Sequence, residues 1–247
     1  MARILEVSGI TVRSVRLADV GPDGGTFLDP AEHERAAGIK AAAGRQDFLA
    51  GRIAQRVFAA GLLGVRPGEL TAAYSCPDCG TGPDLDHGRP GYWLDGAPTG
   101  LSLSLSRCRG WALLAAVGHH RPGGQRTDLY GPAAIGIDLA HSTGVGFAGF
   151  DGVALTPAER RLVDALAPER QALWRAAAWA RKEALLKAGG TGLRVDPASV
   201  ESFAGLTDGT ALVEPDTAAL GLPEGFTAAL AIISGALPKP ATTAVSP

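Results

Sequence analysis

The pattern of hydrophobic and polar residues predicts strands in both halves of the chain. Residues 2–20 alternate valine and isoleucine with polar residues, as a half-buried strand does. Residues 101–106 alternate strictly between leucine and serine, which predicts a strand with its leucines inward and its serines outward. The turn at residues 107–110 and the apolar run at 111–117 complete a predicted hairpin that carries two arginines at its tip.

A strand is also predicted at residues 133–140, with Ile135, Ile137 and Leu139 on its apolar face. Asp138 then points the opposite way, toward a different layer of the fold. Further strands are predicted near residues 199–203, 211–213 and 227–234, where β-branched and apolar residues cluster.

Two pairs of helices are predicted between these strands. Asp29 followed by proline is a suitable helix start, and apolar residues at helical spacing predict a second helix over residues 46–63. Later, the capping pattern from Thr156 to Glu159 begins a helix that runs to about residue 167, and a longer helix follows over 169–188. Residues 75–100 are rich in Gly, Pro and Asp, which predicts a long loop with a short strand at 92–94.

This mixture of strands and helices lacks a regular βαβ repeat and therefore predicts an α+β fold. Each half runs strand, helix, helix and then a pair of strands, so we expect two similar lobes, although we see no repeat in the residues themselves. We expect an N-terminal lobe at 1–132, with its linker within 119–132, a C-terminal lobe at 133–236, and a disordered tail at 237–247.

Composition excludes several classes of protein. The 247 residues carry a formal net charge of −2 with no basic stripe, so no nucleic-acid partner is expected. The N-terminus does not resemble a signal peptide and no apolar run reaches membrane-spanning length, so we expect a cytoplasmic protein with no membrane partner. The signatures of serine hydrolases, P-loop proteins and Rossmann folds are absent from the sequence.

The three cysteines are too few for a disulfide framework. Cys76 and Cys79 form half of a zinc ribbon, and His87 could supply a third ligand, but the set is incomplete. We therefore favour a tight turn with reduced thiols over a structural metal site here.

The helix at 169–188 carries the strongest chemical signal. Glu183 and Lys187 are four residues apart and share one helix face, which alone would indicate an exposed ion pair. Asp138 changes this interpretation, because two carboxylates provide the hard oxygen ligands that Mg²⁺ prefers. Lys182 and Lys187 flank this predicted site. Other cations that suit a diphosphate ligand lie at Arg45, Arg52, Arg89, Arg107 and Arg109.

Two motifs together resemble the signature of the Sfp-type 4′-phosphopantetheinyl transferases. They are the segment from Gly136 to Leu139 and the segment from Trp179 to Lys187. Weaker similarities support them, and the matches span roughly residues 45 to 195. These weaker similarities are Phe48-Leu-Ala-Gly-Arg52, His87-Gly-Arg89-Pro90, Ser104-Leu-Ser106-Arg107-Cys108 and Thr156-Pro-Ala-Glu159.

The resemblance implies two lobes related by a pseudo-twofold axis in a single monomeric chain, with coenzyme A bound between them. It implies transfer of phosphopantetheine to a serine of an apo acyl- or peptidyl-carrier protein, with release of adenosine 3′,5′-bisphosphate. Asp138 and Glu183 would hold Mg²⁺, with Mn²⁺ as an alternative. Glu183 would help to remove the serine proton, and Lys187 would neutralise or protonate the leaving phosphate.

The resemblance also implies a set of residues that bind the phosphates and nucleoside of coenzyme A. These residues are Arg45, Arg52, His87, Arg89, Ser106, Arg107, Lys182 and Lys187.

Two positions depart from the family pattern. Ala140 stands where the family often has a glutamate that would reach the same ion, and Arg107 replaces a histidine. An arginine still binds phosphate but cannot act as a base near neutral pH. Two alternatives therefore stay open: a non-catalytic homologue that binds coenzyme A or a carrier protein, and a small zinc-binding module around Cys76 and Cys79.

Overall fold

The computed structural model describes residues 3–76, 78–83, 85, 87–118 and 134–234. The predicted linker at 119–132 and the predicted tail at 237–247 lie outside the described residues. The strands are β1 (Arg3–Val7), β2 (Ile10–Arg16), β3 (Leu70–Ala72), β4 (Tyr74–Cys76), β5 (Gly80–Gly82), β6 (Tyr92–Leu94), β7 (Ala97–Pro98), β8 (Ser102–Cys108), β9 (Trp111–Val117), β10 (Ala134–His141), β11 (Thr210–Val213) and β12 (Phe226–Ile233). The helices are α1 (Pro30–Ala37), α2 (Ala42–Leu63), α3 (Phe150–Ala154), α4 (Pro157–Asp164) and α5 (Pro168–Gly189).

Two antiparallel sheets form the framework, in the strand orders β1-β2-β9-β8 and β10-β12-β11. The segment predicted as one strand at 2–20 is a hairpin instead, because Ser8 and Gly9 turn the chain with positive φ angles. In each of the sets β2-β9-β8 and β10-β12-β11, the strand that comes last in the sequence lies in the middle. It pairs with the first strand of the set on one side and with the second strand on the other. The two halves therefore share one strand order within a mixed α+β fold.

The four predicted helices are confirmed, and the two shorter ones, α1 and α4, begin with a capping box. Asp29 and Glu32 form it in α1, and Thr156 and Glu159 form it in α4. The long helices α2 and α5 contain 22 residues each and are followed by left-handed Gly64 and Gly190. No helix in the described part of the chain has the length and apolar character needed to cross a membrane.

The strand predicted at 199–203 is wrong. Pro197–Ser199 forms a 3₁₀ turn, because the Asp196 side chain accepts a hydrogen bond from the Ala198 N–H and stabilises a local turn. Ser202 is buried, and its hydroxyl donates to Glu159 over 2.6 Å rather than joining a strand.

The two halves share an internal repeat, whereas the sequence comparison of the halves predicted no repeat in the residues. The capping-box glutamate of each short helix forms a buried ion pair with the following long helix, Glu32 with Arg56 at 2.7 Å and Glu159 with Lys182 at 2.5 Å. Arg56 lies eight residues before the capping glycine of α2, and Lys182 lies eight residues before that of α5. The signal in the sequence is the shared Pro-Ala-Glu after each N-cap.

The core has three apolar regions that stack as helix, sheet, sheet and helix. Helix α2 packs on one face of the first sheet, and α5 packs on one face of the second. Between the sheets, Val12 and Leu113 meet the face of β10 formed by Ile135, Ile137 and Leu139. The predicted apolar face of β10 is thus confirmed, and it faces the other half of the molecule.

The serines of β8 do not point outward as predicted. Ser104 and Ser106 are buried because the edge of the first sheet lies against β10. The Ile137 N–H donates to the Ser104 hydroxyl over 2.9 Å, and the Ser106 hydroxyl donates to Asp138 over 2.6 Å. Polar alternation identified the correct face of β8, and that face forms the seam between the halves.

Helix α5 approaches β10 unusually closely at Gly136. A Cβ atom at this position would lie 2.0 Å from the Ala184 carbonyl oxygen and 2.5 Å from the Ala188 nitrogen. The facing stripe of α5 consists of fully buried alanines at four-residue spacing, which adds little bulk at the contact. These alanines are Ala176, Ala180, Ala184 and Ala188.

We expect Gly136→Ala to lower the free energy of unfolding by about 1–3 kcal/mol, because the added methyl must displace helix backbone rather than a flexible side chain. Chemical denaturation measures this change. Gly61→Ala in α2 is the matched control, since a Cβ there meets nothing within 4 Å and should leave stability equal or slightly higher. Equal stability of the Gly136→Ala variant and the wild type would contradict the close approach.

Candidate active site

A cleft of about 1320 Å³ lies between the two halves. This volume exceeds the roughly 300–1,000 Å³ of ordinary small-ligand pockets, so the cleft can hold a large ligand. Strand β8 and the loop after β5 line it from the N-terminal half, and β10 and α5 line it from the C-terminal half. Both halves therefore contribute chemistry to one space.

Asp138 lies at the floor of the cleft and is 5% exposed. Its Oδ1 accepts hydrogen bonds from the Ser106 hydroxyl and the Lys187 ammonium, each over 2.6 Å. Lys187 also donates to the Ile137 carbonyl oxygen over 3.2 Å. The structure thus brings together three predicted site residues from β8, β10 and α5.

Glu183 lies one helical turn before Lys187 and also lines the cleft. Burial raises the pKa of Glu183, the Lys187 ammonium lowers it, and the Asp138 carboxylate raises it again, so the balance is a raised pKa. Within the described residues, its carboxylate has no hydrogen-bond partner. Glu183 is therefore a half-buried carboxylate whose negative charge is only partly compensated.

The chemistry of this donor set fits a hard divalent cation. Two carboxylates supply oxygen ligands. Burial is the main cause of the raised pKa of Glu183 and repulsion from Asp138 adds to it, and a bound cation would oppose both effects. Ala140 lies on the same face of β10 as Asp138 and also lines the cleft, so a carboxylate there would have joined the set. The protein ligands available at this point are therefore two carboxylates.

Two arginines from different elements share one aromatic ring beside this carboxylate site. The guanidinium carbons of Arg52 and Arg107 lie 5.0 Å and 5.2 Å from the centroid of Phe48. Gly51 makes room for the second arginine, since a Cβ there would lie 2.7 Å from the Cδ of Arg107. Desolvation lowers the pKa of Arg107, and repulsion from Arg52 lowers it further. Such a pair of cations favours an anionic ligand.

Arg89 closes the cleft near the end of α5. It donates to the Ala188 carbonyl oxygen over 2.6 Å, and burial lowers the pKa of its guanidinium. Its Nε is buried without a hydrogen-bond partner among the described residues. His87 lies two residues earlier, with Nε2 at 3.4 Å from the Cys79 sulfur.

Lys182 does not reach the cleft, which contradicts the expectation that it flanks a phosphate. Its side chain is fully buried, and its ammonium contacts Glu159 at 2.5 Å and donates to the Pro197 carbonyl oxygen over 2.8 Å. The reason is helical geometry, because Lys182 and Lys187 are five residues apart and project in different directions. Arg45 donates to the Ile39 carbonyl oxygen over 3.4 Å, and its proposed role stays a prediction.

Sequence reasoning also missed an apolar rim around the cleft. Phe147, Val153 and Leu193 line the cleft, and between 58% and 64% of their surface is exposed. The signal in the sequence was a large apolar side chain at a position outside the predicted core. The loops and the short helix α3 have no regular apolar period, so the sequence did not show that these side chains are exposed.

Comparison with known proteins finds a family similarity in the C-terminal half. Residues 134–219, about a third of the chain, match the model of the 4′-phosphopantetheinyl transferase superfamily. The matched region contains Asp138, Glu183 and Lys187. A search of curated proteins found no match. The part of the chain that carries the carboxylate site is therefore similar to this superfamily.

We expect Lys182→Met to lower the free energy of unfolding by about 3–5 kcal/mol, because it leaves Glu159 buried without its cation. Urea denaturation measures the loss, and exposed Lys40→Met is the matched control. Combining Lys182→Met with Glu159→Gln should restore part of the stability, because the neutral amide removes the unpaired charge and keeps an oxygen acceptor for Ser202. A stable single variant would contradict the buried pair.

We expect Glu183→Gln to raise the melting temperature of the metal-free protein at neutral pH. A carboxyl group with a raised folded-state pKa stabilises the fold below its unfolded pKa of 4.5, and this contribution is lost as pH rises through the folded pKa. The neutral amide avoids that loss, so the difference should vanish below about pH 4. Thermal unfolding across this pH range measures it, and an unchanged or lower value at neutral pH would contradict the prediction.

Proposed function

We propose that the protein transfers 4′-phosphopantetheine from coenzyme A to a serine of an apo acyl- or peptidyl-carrier protein, releasing adenosine 3′,5′-bisphosphate. The observation that carries this proposal is the convergence of Asp138, Glu183 and Lys187 at the floor of a large cleft. All three residues lie in the region that matches the transferase superfamily.

Within that superfamily we propose the Sfp-type arrangement, in which one chain carries two lobes related by a pseudo-twofold axis. The shared strand order and the repeated pairs Glu32–Arg56 and Glu159–Lys182 support it. Because one chain then supplies both sides of the cleft, we propose that the monomer is the active form.

Asp138 and Glu183 would hold a divalent cation, Mg²⁺ or alternatively Mn²⁺. When bound, this cation would supply positive charge to the pyrophosphate of coenzyme A. Ser106 and Lys187 fix the orientation of the Asp138 carboxylate through their two hydrogen bonds to Oδ1. The cation ligands are thereby positioned before a ligand enters.

Glu183 is the proposed acceptor of the carrier serine proton. The serine oxygen attacks the phosphorus that bears the pantetheine arm, and the bond from this phosphorus to the oxygen of the departing adenosine bisphosphate breaks. Lys187 is available to neutralise or protonate the phosphate that leaves.

Arg52, Arg89 and Arg107 are the proposed contacts to the phosphates and nucleoside. They provide guanidinium groups on the N-terminal side of the cleft, opposite the carboxylates of β10 and α5. Arg107 stays protonated near neutral pH, so its proposed role is phosphate binding and not proton transfer.

The carrier protein would approach over the exposed apolar rim formed by Phe147, Val153 and Leu193. These side chains surround the entrance to the same cleft, and exposed apolar groups of this kind mark protein interaction sites. This arrangement would bring a carrier serine to Glu183 while coenzyme A occupies the interior.

A second candidate function is binding of coenzyme A or a carrier protein without transfer. Ala140 favours it, because the cation site lacks a carboxylate at this position. The two candidates differ in turnover and agree in ligand binding, so one experiment separates them.

We expect the purified protein with coenzyme A and Mg²⁺ to add one phosphopantetheine to at least one member of a panel of apo fatty-acid, polyketide and nonribosomal-peptide carriers. Intact-protein mass spectrometry measures the product. Glu183→Gln and Lys187→Met should each lower the rate at least about 100-fold, because each removes a charge at the reacting phosphate. Exposed Glu169→Gln on the same helix is the matched control.

An established phosphopantetheinyl transferase must modify the same carriers in parallel. If it does and this protein adds no mass to any of them, transfer is excluded. Retained binding of coenzyme A in calorimetry would then support the non-catalytic alternative. An unchanged rate in Glu183→Gln would refute the role assigned to that residue.

A further inference from the structure

Three side chains with metal-binding atoms converge at the rim of the cleft, apart from the carboxylate site. They are Cys76, Cys79 and His87, and their ligand atoms all lie within 4.8 Å of one another. The Cys79 sulfur and the His87 Nε2 are 3.4 Å apart. Sequence alone left this set as an incomplete zinc ribbon, and the structure brings its members together.

We propose that these three side chains bind one zinc ion, with a water molecule as the fourth ligand. Bonds of about 2.3 Å to sulfur and about 2.1 Å to nitrogen at a tetrahedral angle would place the two atoms about 3.6 Å apart. The separation of 3.4 Å between Cys79 and His87 agrees with that geometry. Thiolate and imidazole ligands select zinc over Mg²⁺, so this site does not duplicate the carboxylate site.

The hairpin of β4 and β5 positions the two cysteines. Cys76 ends β4 and pairs with Gly80 at the start of β5, so the intervening turn returns Cys79 toward Cys76. The backbone N–H groups of Asp78 and Cys79 donate to the Cys76 sulfur, which holds this sulfur on the inner side of the turn.

A separate contact holds His87 beside the hairpin. Ser75 and Arg89 exchange two backbone hydrogen bonds, of 2.8 Å and 2.9 Å. Gly88 lies between His87 and Arg89 with φ of +94°, and a Cβ there would lie 2.3 Å from the Ser75 carbonyl oxygen. The chain can therefore pass close to β4 only with glycine at this position, and this approach brings the His87 ring to the cysteines.

Zinc bound at this position would stabilise one wall of the cleft. Arg89 follows His87 by two residues and reaches the end of α5. Asp78, inside the cysteine turn, pairs with Arg194 just beyond α5. The ion would thus fix a segment that contacts both sides of the cleft, and His87 would act as a zinc ligand instead of contacting coenzyme A directly.

Metal analysis tests this proposal independently of any enzymatic activity. The full-length protein, reduced, incubated with Zn²⁺ and then desalted, should retain one equivalent of zinc. Cys79→Ser and His87→Ala should each lose this zinc, whereas Cys108→Ser, outside the cluster, should retain it. Replacement by Co²⁺ in the wild-type protein should give thiolate-to-cobalt charge-transfer bands and the visible bands of tetrahedral cobalt. Absence of zinc and of these bands in the wild type would overturn the proposal, as would a Cys76–Cys79 disulfide formed in place of metal binding.

A second experiment tests whether His87 binds zinc or contacts coenzyme A directly. This experiment rests on the proposed function. His87→Ala should raise the KM for coenzyme A about tenfold with little change in kcat, since a positioning site changes binding more than chemistry. His87→Cys should restore both the zinc and the KM, because a thiolate can replace imidazole as a ligand. Restored zinc without restored KM would instead assign His87 to direct binding. Failure of transfer by the wild type would leave the metal result intact.

Discussion

The site depends on the close approach of α5 to β10. Gly136 presents no side chain to the helix, and the facing residues of α5 are alanines, so helix backbone lies almost directly on the strand. At this short distance, Lys187 reaches Asp138 with a contact of 2.6 Å, and Glu183 one turn earlier faces the same space. A larger side chain at residue 136 would separate the helix from the strand and with it the two carboxylates.

The same kind of buried ion pair stabilises both halves, but the two halves contribute different functional groups to the cleft. In each, the glutamate of a capping box holds a buried cation of the long helix, as in Glu32–Arg56 and Glu159–Lys182. The C-terminal half contributes Asp138 and Glu183 to the cleft, and the N-terminal half contributes Arg52, Arg89 and Arg107. An anionic ligand that bridges a bound cation and these arginines therefore needs both halves at once.

The spacing of hydrophobic residues and the helix-capping patterns account for most of the features that the sequence predicted. Alternation placed Asp138 opposite Ile137, and the capping patterns placed α1 and α4, because these features depend on local geometry. Alternation could not reveal that Ser106 is buried, since it identifies a polar face and not the element that covers it. The repeated ion pair was not predicted, because its cation is an arginine in one half and a lysine in the other.

The absence of a carboxylate at residue 140 has an electrostatic consequence as well as a coordination one. With a divalent cation bound, the charges of Asp138, Glu183 and Lys187 leave the site with a net positive charge, whereas a glutamate at 140 would cancel it. Arg52 and Arg107 add further positive charge to the cleft, and the pKa of Arg107 is lowered first by desolvation and then by repulsion from Arg52. A diphosphate would relieve this repulsion on binding, so under the proposed function weaker coordination of the cation would be offset by stronger attraction for the substrate.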